Sequence, residues 1–228
     1  MKNLKPLLTI SDWQNFCQEV YGLNNDRDFG VMEMLTNIQR FVMRSLKGIR
    51  KRDDKKTTQN ILIAMSWYIS LMNQLHIDIE TKIWQRFPYL CLYCGSKPCS
   101  CKTKKKASRL KVSENSKIKP KSLKEFQEMF GEIYPPESRN LENAGIHLAE
   151  ETGELSEAIS TYRGDHKSND FILVEEEAAD LFSCFMSVAN SLHLDVAKEI
   201  AKMFSKNCHV CHKLPCECDF IFVMNYKS

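Results

Sequence analysis

The sequence predicts an all-α protein built from two tandem four-helix units. Long amphipathic patterns with a helical period recur along the chain, and strand-like alternation is scarce. The C-terminal half also repeats the organisation of the N-terminal half. With 228 residues, of which 43% are hydrophobic, the chain is long enough to form two small domains with cores of their own.

The internal repeat is clearest in two cysteine clusters. Residues 91–101 (CLYCGSKPCSC) and residues 208–218 (CHVCHKLPCEC) share the spacing C-x2-C-x4-C-x-C at an offset of 117 residues. At the same offset, SLMNQLHIDI at 70–79 aligns with SVANSLHLDV at 187–196. A pattern that persists along most of both halves indicates duplication of one helical unit.

Each half begins with a short amphipathic helix. TISDWQNFCQEVY at 9–21 aligns with SLKEFQEMFGEIY at 122–134, at an offset of 113 residues. Ser11 and Ser122 precede the apolar pattern, so we predict that they are the N-caps of these helices.

Two long helices and a short one follow in each half, and the short one leads into the cysteine cluster. The predicted helices span about 29–48, 57–75 and 77–87 in the first half, and about 139–162, 171–191 and 194–206 in the second. The predicted domains are residues 1–101 and 122–228, joined by a linker at 102–121.

The linker is strongly basic. Residues 102–121 carry nine Lys or Arg against one acid, Glu114, so the segment contributes +8 to a net charge of +3 and the remainder −5. Because it also lacks aromatic residues and helical periodicity, we predict a flexible, solvated tether. A nucleic-acid contact through this basic segment is the less favoured alternative.

The composition also bears on the compartment. The N-terminal MKNLKPLLTI has too short an apolar run for a signal peptide, and the later run ILIAMSWYISLM is shorter than the roughly 20 residues of a membrane span. We therefore expect a cytoplasmic protein with no membrane partner, whose ten cysteines are thiols or metal ligands.

Each cysteine cluster provides four thiolates, the number that a closed tetrahedral zinc site requires. Free thiols, disulfides and an iron–sulfur cluster are the alternatives. Cys17 and Cys184 lie on apolar helix faces and are expected to be buried thiols, while His209 and His212 are expected to be exposed neighbours of the second cluster. The predicted structural Zn²⁺ ligands are Cys91, Cys94, Cys99 and Cys101, and Cys208, Cys211, Cys216 and Cys218.

Two helices of the second half place acidic pairs at the edge of an apolar face. In HLAEETGELSEAI, Glu151 and Glu154 border the core side, and in VEEEAADLFSCFMSVA, Glu177 and Asp180 repeat the spacing of three. Carboxylates packed together there would repel one another, whereas a hard divalent cation such as Mg²⁺ accepts their oxygens. We predict a Mg²⁺ site at these four residues. The other acids of these helices are expected to form a solvated face: Glu150, Glu157, Glu175 and Glu176.

LENAGIHLAEETGELSEAI followed by EEEAADLFSCFMSVANSLHLD resembles the MazG-like all-α nucleotide pyrophosphohydrolases, whose pattern is EExxE, a spacer and ExxD. The resemblance covers roughly residues 122–207, and its acids are Glu150, Glu151, Glu154, Glu177 and Asp180. The all-α dUTP/dCTP pyrophosphatases and phosphoribosyl-ATP pyrophosphohydrolase have a similar fold, so the base and the sugar stay open.

The resemblance implies hydrolysis of an NTP or dNTP between the α and β phosphorus atoms, giving NMP or dNMP and pyrophosphate. It implies Mg²⁺, or Mn²⁺ in its place, bound by the four predicted ligands, with Glu150 or one of those ligands as the base. The same resemblance indicates substrate contacts at the end of the last helix, in the loop between the acidic helices and just before them. These contacts are Lys202, Lys206 and Asn207, then Arg163 and Lys167, then Arg139, Asn140 and His147.

The first half lacks the acids. At the 117-residue offset, the four predicted Mg²⁺ ligands align with Met34, Asn37, Asn60 and Ile63, so we predict that this half binds no catalytic Mg²⁺. Because MazG-like units act as dimers, the resemblance implies an intramolecular pseudo-dimer with one active site, and a further homodimer is left open. The alternative function is a zinc-knuckle nucleic-acid-binding adaptor that keeps a relic MazG-like fold.

Overall fold

A computed structural model describes residues 8–104, 108–110, 112–138 and 140–228. All regular elements in these ranges are helices, which confirms the predicted fold class. No helix in these ranges is long and apolar enough to cross a membrane. The α-helices are α1 (Ile10–Asp28), α2 (Val31–Arg50), α3 (Asp54–Gln74), α4 (Ile79–Arg86), α5 (Cys101–Lys104), α6 (Leu123–Ile133), α7 (Leu141–Asp165), α8 (Ser168–Ser191), α9 (Val196–Met203) and α10 (Phe220–Asn225), with 3₁₀ turns at Ser116–Ile118 and Pro136–Ser138.

The helices form two compact units that combine segments from both halves of the sequence. Unit 1 contains the described residues up to Asp78 together with Leu194–Ser228, and unit 2 contains Ile79–His193. In unit 2, α4 packs against α8, and in unit 1, α9 packs against α3. The short fourth helix is therefore exchanged between the halves. The predicted division into 1–101, 102–121 and 122–228 follows the sequence repeat but not these compact units.

The chain leaves each long helix through the same turn. His76 follows α3 with φ 56°, and His193 follows α8 with φ 52°, so the two aligned histidines both adopt the left-handed conformation. The amphipathic pattern predicts the helix that follows each histidine, but it does not specify which long helix that short helix packs against.

The helix caps agree in part with the prediction. Ser122 caps α6 by accepting a hydrogen bond from the backbone N–H of Glu125 at 3.2 Å. In the first half, Thr9 and not Ser11 is the N-cap. Its hydroxyl accepts from Asp12 N at 2.9 Å, while the Asp12 carboxylate accepts from Thr9 N at 3.0 Å. This reciprocal capping box starts α1 earlier than predicted and contributes about 1 kcal/mol.

In unit 2 the core lies between α7 and α8 and extends to α4. The apolar faces of α7 and α8 meet through fully buried residues such as Leu148, Leu155 and Leu181. Beyond the end of α4, the ring of Phe87 packs edge-to-face on Phe130 at 5.2 Å between centroids. Phe130 lies on α6 and contacts Phe182 of α8 at 6.1 Å between centroids, so these rings link the C-terminal end of α4 to α8 through α6.

The two cysteine clusters fold alike. In the first, Gly95 N donates to Cys91 O at 2.8 Å, and in the second, His212 N donates to Cys208 O at 3.0 Å. Gly95 and His212 both have positive φ, 69° and 60°. The peptide bonds Lys97–Pro98 and Leu214–Pro215 are both cis. The two clusters are therefore structural copies of one another, as the sequence repeat predicts.

Each cluster is anchored on the first helix of the other sequence half, so here too the halves are exchanged. Cys99 N donates to Ile133 O at the end of α6 at 2.8 Å, and Cys216 N donates to Val20 O in α1 at 2.7 Å. Ile133 and Val20 are aligned at the 113-residue offset. The first cluster therefore belongs to the unit that carries the acidic helices.

Candidate active site

Helices α7 and α8 bring three of the predicted Mg²⁺ ligands together in unit 2. One carboxylate oxygen from each of Glu151, Glu177 and Asp180 lies within 4.8 Å of the other two. Oε2 of Glu151 and Oε2 of Glu177 are buried without a hydrogen-bond partner. Because an unpaired buried carboxylate oxygen is costly, this trio fits a divalent cation that prefers oxygen ligands.

The electrostatics of the trio reflect this crowding. Burial, reinforced by the charge of Asp180, raises the pKa of Glu177 to about 7. Burial and the neighbouring charge of Glu151 also raise the pKa of Glu154. Glu154 lies outside the trio and is exposed, on a cleft that Glu151 and Asp180 also line. Carboxyl groups that share a site in this way favour a bound cation.

His147 lies next to the trio on α7. Its Nε2 is 3.1 Å from Oε1 of Glu151, one turn further along the helix. Its Nδ1 is 3.4 Å from the sulfur of Cys184 on α8. Cys184 is 2% exposed, so the predicted buried thiol is confirmed, as it is for Cys17 at 1%. The predicted pocket residue His147 therefore contacts the acidic cluster directly.

Arg86, at the C-terminal end of α4, also reaches the acids. Its guanidinium forms a bidentate pair with Asp180, with Nε to Oδ1 at 3.0 Å and Nη2 to Oδ2 at 2.7 Å. Its Nη1 lies 2.9 Å from Oε2 of Glu176. Arg86 is only 7% exposed. A residue from the first half of the sequence is thus built into the acidic site of the second half.

Arg109 approaches the same carboxylates from the segment that was predicted to be a linker. Its Nη2 donates to Oδ2 of Asp180 at 3.0 Å, and its Nη1 donates to Oε2 of Glu176 at 3.3 Å. Its Nε donates to the hydroxyl of Tyr93 at 3.0 Å. Next to it, Leu110 N donates to Leu92 O at 2.8 Å. The expected solvated tether is therefore wrong for these residues.

Acids and arginines line one cleft of about 370 Å³. This size suits a small-molecule ligand. Three cysteines of the first cluster and Tyr93 form part of its wall, so the cluster shapes the site. The lining residues are Arg86, Phe87, Cys91, Leu92, Tyr93, Cys99, Cys101, Arg109, Tyr134, His147, Glu151, Glu154, Asp180 and Ser183.

The outer acids of α7 and α8 divide into two groups. Glu150 and Glu157 are exposed, as predicted for a solvated face. On α8 that interpretation is wrong, because Glu175 pairs with Lys82 of α4 at 2.8 Å and Glu176 pairs with two arginines. The reason is the exchanged helix α4, whose cations face this side of α8.

Three predicted substrate contacts lie in the other unit. Lys202 is at the end of α9 and Lys206 and Asn207 follow it, all in unit 1. Lys202 is exposed and lies 3.6 Å from Glu199, one turn earlier. In unit 2, α4 is the counterpart of α9, and Arg86 is the cation that α4 supplies to the acids.

The remaining predicted contacts occupy the ends of α7. The side chain of Asn140 caps α7 by accepting from Asn143 N at 2.8 Å, which explains its position without a ligand. Arg163 and Lys167 are exposed around the turn into α8, and Lys167 pairs with Asp165. Arg139 lies outside the described residues.

Sequence reasoning missed Arg86, Tyr93 and Arg109. The signal for Arg86 was present, because the short helix of the first half ends in a cation just before its cysteine cluster. To assign Arg86 to the acidic site, one must know that α4 packs in the unit of the second half, and the periodicity of the sequence does not show this. Tyr93 and Arg109 lie in irregular segments, where sequence patterns specify no neighbours.

In unit 1 the positions of the acids hold neutral, buried side chains. Met34 and Ile63 belong to the core, at 0% and 1% exposed. Asn37 donates to Glu33 O at 3.0 Å, and Asn60 donates to Lys56 O at 2.7 Å. Among the described residues, the carboxylate groups that are close enough together to bind a metal all lie in unit 2.

The C-terminal segment packs beside these neutral positions. Arg40 donates from Nη1 to Met224 O at 2.5 Å and from Nη2 to Val223 O at 3.0 Å. The hydroxyl of Ser228 donates to Oδ1 of Asn60 at 2.5 Å. Where unit 2 has carboxylates and arginines, unit 1 has amides that bond to its own chain.

The sulfur atoms of each cysteine cluster are arranged as metal ligands. Neighbouring sulfurs are 3.5–3.9 Å apart in both clusters. A tetrahedral site with Zn–S bonds of about 2.3 Å places its sulfurs about 3.8 Å apart, whereas a disulfide requires about 2.05 Å. None of the eight cysteines forms a disulfide. Both clusters therefore fit a tetrahedral metal ion.

The histidines of the second cluster lie outside its sulfur group. His212 is exposed, with Nδ1 3.1 Å from Cys208 O. The expectation that His209 is exposed is wrong, because it is only partly accessible. It packs edge-to-face on Phe204 and Tyr226, with centroids 5.6 and 5.7 Å away. Burial lowers its pKa. His209 thus helps to pack the second cluster onto unit 1.

Comparison with known proteins gives one match. Residues 139–214 match the family model of the MazG nucleotide pyrophosphohydrolase domain. This range contains the acidic parts of α7 and α8, and the match confirms the resemblance drawn from EExxE and ExxD. No curated protein and no solved structure matches the chain.

Proposed function

We propose that this chain, which carries a MazG nucleotide pyrophosphohydrolase domain, hydrolyses nucleoside triphosphates in a Mg²⁺-dependent reaction. The substrate is an NTP or a dNTP, and the products are the NMP or dNMP and pyrophosphate. The observation that carries this proposal is the carboxylate trio Glu151, Glu177 and Asp180, which has two unsatisfied buried oxygens beside a cleft lined with arginines.

The residues that would hold Mg²⁺ are Glu151, Glu177 and Asp180, with Glu154 at the mouth of the cleft as the fourth ligand. When bound, Mg²⁺, or Mn²⁺ in its place, supplies charge neutralisation for the triphosphate and makes a nearby water more acidic. The buried carboxylate oxygens then gain the partner that the protein alone does not give them.

The chain's own residues have two tasks in this reaction. The arginines of the cleft provide positive charge that attracts the triphosphate. One carboxylate accepts a proton from water, whose oxygen forms the new bond to the α phosphorus while the bond to the α–β bridging oxygen breaks. Glu150 is exposed and outside the cleft lining, whereas Glu154 lies on it, which favours Glu154 as this base.

The cysteine clusters are proposed to hold structural Zn²⁺, one ion each. Four thiols with the sulfur spacing of a tetrahedral site leave no open position for a reactant. The first cluster lines the cleft and the second packs on α1 in unit 1. Zinc in the first cluster would thus fix a wall of the active site.

The function is tested with the full chain and a panel of NTPs and dNTPs, separating NMP plus pyrophosphate from NDP plus phosphate. We expect the first product pair, dependent on Mg²⁺. Glu154→Gln and Asp180→Asn should each abolish turnover, while Asn37→Ala and Asn60→Ala should leave activity in proportion to the folded fraction. If both acid variants retain activity, the assignment of the active site is wrong. If the Asn variants lose activity to a comparable extent, the prediction that the first half has no catalytic role is wrong.

A further inference from the structure

We propose that Arg109 has two alternating partners: the carboxylates of Asp180 and Glu176 in the ligand-free protein, and the phosphates of the substrate in the loaded one. This inference rests on the proposed function and adds a substrate-binding residue to it. Arg109 comes from the segment between the two sequence repeats, outside the range that matches the MazG domain.

The first argument is a conflict at one oxygen. Oδ2 of Asp180 accepts from Nη2 of Arg86 at 2.7 Å and from Nη2 of Arg109 at 3.0 Å. The same carboxylate belongs to the trio that fits a divalent cation. A metal ion and two guanidinium groups repel each other at such distances, so metal binding at Asp180 requires one arginine to withdraw.

The second argument identifies which arginine withdraws. Arg86 is 7% exposed and lies on α4, beside buried neighbours such as Ile83 and Trp84. The side chain of Arg109 is 29% exposed, and its backbone lies outside any helix. Moving Arg86 would disturb the packing of α4 on α8, whereas the head group of Arg109 can turn without moving a helix.

The third argument concerns where the freed head group goes. Its Nε donates to the hydroxyl of Tyr93 at 3.0 Å, and its guanidinium carbon lies 5.4 Å from the centroid of that ring. Tyr93 and Arg109 both line the acidic cleft. Held at Tyr93, the two Nη groups still reach an anion in the cleft, and a guanidinium binds phosphate as well as carboxylate.

If Arg109 alternates between these partners, its removal should change the affinities for Mg²⁺ and for a triphosphate in opposite directions. Without Arg109, Asp180 loses a competitor of the metal, so Mg²⁺ alone should bind more tightly. The same change removes a phosphate contact, so a triphosphate should bind more weakly. A residue that only supports the fold would weaken both, because a disordered cleft binds neither ligand well.

The experiment is calorimetric titration of the full chain with both cysteine clusters loaded with zinc. The probes are Mg²⁺ alone, and inorganic tripolyphosphate in saturating Mg²⁺, which contains the phosphates without the base. For Arg109→Gln we expect Mg²⁺ affinity to rise about threefold and tripolyphosphate affinity to fall about tenfold to a hundredfold. Lys102→Gln removes the same charge from an exposed position earlier in the same basic segment and should change neither. Arg109→Lys should fall between Arg109→Gln and the wild type.

The outcomes separate this inference from the proposed function. If the wild type binds Mg²⁺ in a manner that Glu177→Gln abolishes, and Arg109→Gln leaves both affinities unchanged or lowers both, the inference is wrong and the function stands. If the wild type binds no Mg²⁺ at this site, both are wrong. Thermal unfolding of each variant shows whether it is folded in the titration.

Discussion

The guanidinium of Arg86 and the carboxylate of Asp180 form two parallel hydrogen bonds, at 3.0 and 2.7 Å, although the residues are 94 positions apart. Arg86 ends a helix of the first sequence repeat, and Asp180 closes the ExxD pattern of the second. Their pairing within unit 2 joins the repeat that lacks the acids to the repeat that carries them.

Replacing Arg86 by Gln should impair both folding and catalysis. The substitution leaves the carboxylate of Asp180 with one arginine partner in a largely buried site, and breaking such a pair costs about 3 kcal/mol of unfolding free energy. The kcat/KM for the best substrate should fall at least about tenfold, because Asp180 loses the bidentate partner that fixes its carboxylate among the proposed Mg²⁺ ligands. Urea denaturation and steady-state kinetics measure the two effects.

Lys82→Gln is the matched control for this change. Lys82 lies on the same helix and pairs with Glu175, but both side chains are more exposed than that of Arg86. Its loss should cost less than about 1 kcal/mol and leave kcat/KM unchanged. Equal effects of the two substitutions would contradict a special role for Arg86.

The pKa of Glu177 predicts how metal-free stability varies with pH. Burial raises this pKa from 4.5 to about 7, so the folded state binds the proton more tightly than the unfolded state. The contribution of protonated Glu177 to the free energy of unfolding is fully present below about pH 4.5 and is lost as the pH rises through about 7. Unfolding free energies measured between these values should therefore decrease with pH, and Glu177→Gln should remove that part of the slope. An unchanged slope in the variant would assign the effect to another group.

Added Mg²⁺ should reverse this trend. The metal binds the ionised carboxylate, so its stabilising effect should grow as Glu177 loses its proton near pH 7. Midpoints of thermal unfolding with and without Mg²⁺ across this range test the prediction. A stabilising effect of Mg²⁺ that is constant with pH would place the ion away from Glu177.

The two cysteine clusters should differ in their effect on activity. Cys94 and Cys211 occupy the same position of the repeat, so Cys94→Ser and Cys211→Ser make the same chemical change in each. Metal analysis should give two zinc ions for the wild type and fewer for each variant. Because three cysteines of the first cluster line the cleft, Cys94→Ser should lower kcat/KM more than Cys211→Ser does. The reverse order would show that the first cluster does not shape the site.

The second half alone should be inactive. A chain of residues 122–228 contains all the predicted Mg²⁺ ligands but lacks α4, Arg86, Tyr93, Arg109 and the first cysteine cluster. We expect no turnover from it, and recovery when residues 1–121 are expressed with it. Full activity of the isolated half would show that the exchanged helix is dispensable.

The sequence predicts the helices and the side of each helix on which its acids lie, because both depend on local periodicity. The spacing of Glu151 and Glu154, and of Glu177 and Asp180, places each pair on one side of a helix whatever packs around it. The cysteine clusters are also local, since each places four cysteines within eleven residues. In these cases the residues that matter are close together in the chain.

What the sequence did not predict depends on distant partners. An apolar stripe on α4 requires a hydrophobic neighbour but does not distinguish α3 from the similar α8, because the repeats present nearly the same face. Because of this ambiguity, Arg86 was not predicted at the acidic site and Glu176 was predicted to lie on a solvated face. The cap of α1 was missed for a simpler reason, since Thr9 and Ser11 are both acceptable N-caps and only the capping box with Asp12 decides between them.

The exchanged fourth helix has a consequence for how such a duplicated gene can evolve. Because residues 79–101 belong to unit 2, the copy without acids cannot be deleted without removing part of the unit that carries the carboxylate trio. A substitution there would affect the site of the proposed activity, even though it falls in the half that has no carboxylate trio. The two halves therefore cannot change independently in this region.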